Sequence, residues 1–174
     1  VRSTQDGRTK KVADLPGSGF RFGQGWKNQV LLFGEDGGKG MVFALSPKGG
    51  YLKIANVDGP VTAAVGMDQG TVVATGGVLV LLIPGQHPQI LCELPAELGS
   101  ILSLTAHVGP DGKNVLLFAT ADMVFGLQGQ VVHTLLAGVG GELRTDPKDS
   151  GWTYLMDAPR NTALRFTFFA APQK

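Results

Sequence analysis

Catalysis needs a nucleophile, an acid or a base held beside a partner, and few residues in this chain could supply one. The three histidines, His87, His107 and His133, stand far apart, and none has a second His, Cys or Glu at a spacing that would bring two ligands to one metal ion. Ser46, Ser100, Ser103 and Ser150 lack the Gly-x-Ser-x-Gly setting that presents a serine oxygen to a substrate. Asp36-Gly-Gly-Lys39 and Asp111-Gly-Lys-Asn114 carry too few carboxylates for a calcium loop and read as hairpin turns. Gly17-Ser-Gly-Phe-Arg-Phe-Gly-Gln-Gly25 is rich in glycine but opens no helix, so it is not a phosphate cradle. One group is unusual. Glu142, Arg144 and Asp146 alternate, which puts them on one face of a strand. Together with His107, at the end of another strand, they form a candidate ligand site; the same charges also fit an ion-paired, solvated strand end. No catalytic residue, metal site or cofactor is assigned. Arg21 and Trp26 are the candidate anchors for a protein partner, because Arg and Trp dominate interface hot spots. Trp152 and Tyr154 alternate on a strand and are expected to pack between neighbouring sheets.

The elements that must position these residues are strands. Of 174 residues, 43% are hydrophobic, enough for a packed core, while 26 glycines and a charged fraction of 17% favour short strands joined by tight turns. No window sustains helical i, i+3, i+4 spacing; Pro95-Ala-Glu-Leu-Gly99 offers one turn at most. Fifteen basic and fourteen acidic side chains leave a net charge of +1, which excludes a field strong enough to draw in nucleic acid or an anionic membrane. The longest apolar run, 78–83, falls far short of the roughly 20 residues of a membrane span. Cys92 is the single cysteine, so no intramolecular disulfide can form and cysteine usage does not fix a compartment. A start at Val1 leaves room for a removed signal or anchor, which tilts the expected location towards an extracytoplasmic one.

Similar segments recur along the chain. Lys27-Asn-Gln-Val-Leu-Leu-Phe33 is echoed by Lys113-Asn-Val-Leu-Leu-Phe118, and Met41-Val-Phe-Ala-Leu-Ser46 by Met123-Val-Phe-Gly-Leu-Gln128, at nearly the same separation. A segment of like grammar, 70–83, lies between the copies, which gives a period of about 40 residues. In that period the chain divides into units of four strands: 20–24, 29–34, 41–46 and 51–57; then 61–67, 71–75, 78–83 and 89–94; then 101–107, 114–120, 123–127 and 131–135. The last unit offers three, 142–145, 152–156 and 163–168. One strand is left over at the start, 11–16, and its Ala13-Asp-Leu-Pro16 matches Cys92-Glu-Leu-Pro95 at the end of the second unit. That strand is expected to complete the last unit, because joining the termini in one sheet removes the exposed edges of an open array. The segments 30–33, 78–83 and 115–118 should be covered on both faces, whereas 62–66 and 103–106 are small, as suits strands converging on an axis.

In this period and strand grammar the chain resembles the β-propeller superfamily. The resemblance implies four four-stranded blades, the last completed by the N-terminal strand. It also implies a division into a flexible N-terminal segment 1–10, one propeller domain over 11–169 and a C-terminal tail 170–174. It carries no functional residues over. The functional expectation is a noncatalytic platform for protein–protein interaction within a larger protein or assembly, as a monomer or a homodimer. The alternative is a ligand or ion site at the channel mouth, with hydrolase- or lyase-like chemistry, built from His107, Glu142, Arg144 and Asp146.

Overall fold

The computed structural model describes residues 2–5, 8–11, 14–25, 29–46, 49–109, 112–146 and 151–167. The protein is all-β. Its one helical element among the described residues is a 3-10 turn, Ala96–Leu98, where the sequence allowed a single turn. A short hairpin, β1 (Arg2–Gln5) and β2 (Arg8–Lys11), comes first. Three antiparallel meanders of four strands follow. They are β3 (Ser18–Gln24), β4 (Val30–Asp36), β5 (Lys39–Leu45) and β6 (Tyr51–Asp58); β7 (Val61–Met67), β8 (Gly70–Thr75), β9 (Val78–Leu82) and β10 (Gln89–Glu93); and β11 (Ser103–Val108), β12 (Asn114–Ala119), β13 (Met123–Gln128) and β14 (Val131–Ala137). A three-stranded sheet ends the fold: β15 (Glu142–Thr145), β16 (Thr153–Asp157) and β17 (Thr162–Phe166).

Local chemistry explains the meanders. The β4–β5 turn places Gly37 and Gly38 at φ +58° and +80°, a left-handed backbone that glycine adopts without strain and that suits a two-residue hairpin. The second and third strands of each meander read as unbroken apolar runs, and the structure covers them on both faces: Leu31, Leu32 and Phe33 in β4, Val42 and Phe43 in β5, and Val115 to Ala119 in β12 are all buried. Each such large side chain contributes roughly 1.5–3 kcal/mol of burial free energy. Phe118 and Phe125 stack at 5.1 Å between ring centroids, joining β12 to β13. Outer strands β6, β10 and β14 are largely exposed, and each meets its neighbour through a bulge that bends the sheet edge.

The expected closed ring of four separate blades is not what forms. The first two meanders merge into one eight-stranded mixed sheet, β10-β9-β8-β7-β3-β4-β5-β6, that curls as a half-barrel. Gln24 of β3 pairs in parallel with Val65 of β7 at the junction. Gly23 permits this approach, since a Cβ there would stand 2.4 Å from the carbonyl oxygen of Ala64. The small residues of 62–66 thus admit a neighbouring backbone into the sheet instead of marking a strand isolated beside an axis. The N-terminal strand does not complete the last unit either. Residues 8–11 pair with β1, in the register Arg2 to Lys11, and the last sheet keeps three strands. A partner a few residues away costs far less chain entropy than one at the opposite end of the sequence. Strands also occupy part of the segment 1–10, where the sequence reading placed no element.

Candidate functional site

The first strands of the units, β3, β7, β11 and β15, approach one another, and hydroxyl groups stitch three of these contacts. Thr62 Oγ1 on β7 donates to the Ile101 carbonyl at 2.6 Å. Ser103 Oγ on β11 accepts from the Leu143 N–H at 2.9 Å. Thr105 Oγ1 lies 2.6 Å from Thr145 Oγ1 on β15 and 3.1 Å from Gln24 Oε1 on β3. Sequence reading took 62–66 and 103–106 as merely small. The alternation of hydroxyls, Ser103-x-Thr105, was the available signal, because hydroxyls repeating along a buried face need partners on another strand.

Beside this stitched region a cleft of about 590 Å³ opens between the first sheet and the last. Arg21 and Phe22 of β3, Glu142, Arg144 and Met156 of the last sheet, and Leu102 are among its lining residues. Three apolar side chains here stand well out in solvent: Phe22 is 64% exposed, Met156 51% and Leu102 48%. The Arg21 guanidinium sits over the Phe33 ring at 5.5 Å, and among the described residues it has no carboxylate partner. Arg144 Nη2 donates to Glu142 Oε1 at 2.5 Å, a solvent-exposed pair of small energetic weight. A smaller hollow, about 400 Å³, lies between the second and third meanders, with Val72, Leu81 and Leu116 among its lining residues.

The sequence candidates therefore separate. Glu142, Arg144 and Arg21 share the cleft, but His107 and Asp146 do not line it. His107 is fully buried, its Nδ1 3.0 Å from Thr153 Oγ1, and so joins β11 to β16. Asp146 accepts a hydrogen bond from Tyr154 Oη at 3.1 Å at the end of the last sheet. Trp26 lies outside the described residues. Trp152 and Tyr154, expected between sheets, instead share the Arg165 guanidinium, 4.2 Å and 5.7 Å from their ring centroids, and Tyr154 is exposed.

Sequence reading also missed the group that fixes one end of the cleft. Asp157 is buried at the end of β16 and opens the turn whose Ala158 and Pro159 line the cavity. Its Oδ2 accepts from Arg160 Nη1 at 2.8 Å and from the Gly140 N–H at 3.3 Å, and its Oδ1 accepts from the Arg160 N–H at 3.2 Å. Burial by itself would push this carboxyl up. The hydrogen bonds from Arg160 and Gly140, with the Arg160 charge, outweigh it and hold the group below the ordinary carboxylate range. Arg160 also bridges to Asp122 and donates to the Ala121 carbonyl at 3.1 Å, so the turn is tied to the third meander. Asp157-Ala-Pro-Arg160 was the readable signal, an acid and a base bracketing a turn. Burial, and then the Glu93 charge, push the Cys92 thiol up, which keeps it protonated and weakly nucleophilic at neutral pH. Among the described residues no three His, Cys, Asp or Glu side chains converge as a metal site, and no helix is long and apolar enough to cross a membrane.

No protein-family model matches the chain, and no curated protein matches it. Among solved structures it is similar to the crystal structure of the computationally designed Ika4 protein, with a TM-score of 0.57 at 18% identity over 91% of this chain and 98% of that one. At this identity the likeness concerns the fold alone.

Proposed function

We propose that the protein is a noncatalytic binding module for another protein and that it meets this partner with the cleft between its first and last sheets. The observation that carries the reading is the exposure of Phe22, Met156 and Leu102 around one cavity, with Arg21 and Arg144 on its walls. An apolar centre beside arginine is the composition of a protein interface, in which a few buried anchors supply most of the affinity. Solitary exposed apolar residues need no explanation, whereas several gathered in one concavity do. The small-ligand alternative is the weaker one, since only Glu142 and Arg144 of its four residues reach the cavity and those two are paired with each other.

Selection of peptides from a random displayed library on the immobilised protein tests the reading. Recovered peptides should bind the wild type and an Ile90→Asp variant, changed on an exposed outer strand, and lose Phe22→Asp. Equal binding to Phe22→Asp, or no enrichment at all, overturns the proposal.

A further inference from the structure

Resting on the cleft as the binding face, we infer that it takes an extended peptide in which an apolar anchor is flanked by carboxylates. Charge complementarity chooses this occupant. The guanidiniums of Arg21 and Arg144 line the cleft, and that of Arg165, which does not, stands on the same exposed face of the last sheet as Arg144. Arg144 and Arg165 stand opposite Tyr154 from either side, so the three residues form one row across the exposed face of the last sheet. The carboxylates nearby are already engaged: Glu142 holds Arg144, and Asp146 accepts from Tyr154. Arg21 and Arg165 have no carboxylate among the described residues and rest on aromatic rings, Arg21 on Phe33 and Arg165 on Trp152 and Tyr154. Contact with an aromatic ring, 5.5 Å for Arg21 and 4.2 Å for Arg165, narrows the range of each guanidinium and so lowers the side-chain entropy lost when a carboxylate binds.

The apolar part of the site has the matching form. Phe22, Leu102 and Met156, from three different parts of the chain, line one cavity, so an aromatic or branched aliphatic side chain entering it would meet apolar surface. The volume, about 590 Å³, falls within the range of preformed ligand pockets, roughly 300–1,000 Å³. A basic peptide would set a like charge against Arg21, and an apolar one would leave that guanidinium without a carboxylate.

The experiment uses fluorescence anisotropy with three labelled peptides that share a Phe-Leu centre and differ only in their flanks, which are Asp and Glu, Asn and Gln, or Lys. The acidic peptide should bind the protein about tenfold more tightly than its amide counterpart, the worth of one charge-assisted contact. Arg21→Gln should bring the acidic peptide's affinity down to that of the amide peptide, whereas Phe22→Asp should weaken both. Equal or tighter binding of the amide or lysine peptide, lost in Phe22→Asp, overturns the inference while the cleft remains the binding face. Binding of the acidic peptide that survives Arg21→Gln undiminished likewise overturns it. If none of the three binds, the inference and the cleft reading fall together.

Discussion

Strand β12 in the third meander and strand β16 in the last sheet are both middle strands, yet they meet their surroundings differently. Every residue of β12 after Asn114 is buried. In β16 burial alternates, with Thr153, Leu155 and Asp157 inward and Tyr154 and Met156 outward. Leu155 joins Val115, Leu117, Ala119 and Leu143 in one apolar cluster, so one face of the last sheet is packed on the third meander. The other face is left to the cleft. Where β12 is held by apolar burial from both sides, β16 relies on one apolar face and on polar ties, His107 to Thr153 and Asp157 to Arg160 and Gly140. A sheet packed on both faces has its surface spent on the core, and one packed on a single face keeps the other in solvent.

The contrast predicts unequal costs for truncations of similar chemistry. Phe118→Ala, in β12, should be the most damaging change, destabilising by about 3–5 kcal/mol because it empties a close-packed site. Met156→Ala, in β16, should stay within about 0.5 kcal/mol. Urea denaturation of the two variants measures the difference; equal losses would mean that the outer face of β16 is covered after all.

Asp157→Asn should destabilise less than the phenylalanine truncation and should change the pH dependence. Since the folded state holds this carboxyl below its ordinary value, the unfolded state binds the proton more readily. The stabilisation is therefore complete above the ordinary aspartate value of about 3.9 and fades as pH falls through that value and below it. Thermal midpoints measured from neutral pH downward should fall less steeply in Asp157→Asn than in the wild type. Parallel curves would remove Asp157 from the polar ties that set the last sheet apart.

A change smaller than the Phe118 truncation tests the other end of the comparison, the junction of the first two meanders. Gly23→Ala sets a Cβ against the Ala64 carbonyl and should cost about 1–3 kcal/mol, since overpacking forces the strands apart. Amide exchange at Val65 should quicken in the variant as its pairing with Gln24 loosens. Unchanged exchange there would show that β3 and β7 do not depend on the close approach.

Much of the strand layout was readable because its causes are local. Predicted strands 29–34, 41–46, 61–67 and 114–120 overlap β4, β5, β7 and β12, since apolar runs bounded by Gly, Asp and Asn leave few other conformations. The cleft was readable only in part. Alternation placed Glu142 and Arg144 on one face, and the pairing of β15 with β16 confirms that they share it with Tyr154 and Met156. Nothing in the spacing could bring Phe22 to that cleft, because the contact spans the whole length of the chain. His107 resembled a ligand in sequence, and burial beside Thr153 gave it a structural partner instead.

The sequence by itself determined an all-β chain, the order and approximate ends of its strands, and the turns between them, since these follow from side-chain period and from backbone preferences over a few residues. Only the tertiary structure decided which sheets merge, which face of the last sheet stays open, and which polar groups are paired. Those outcomes depend on the close approach of backbones distant in sequence, at Gly23 and Ala64 above all, and on the burial of groups such as Asp157 whose partners no local pattern specifies.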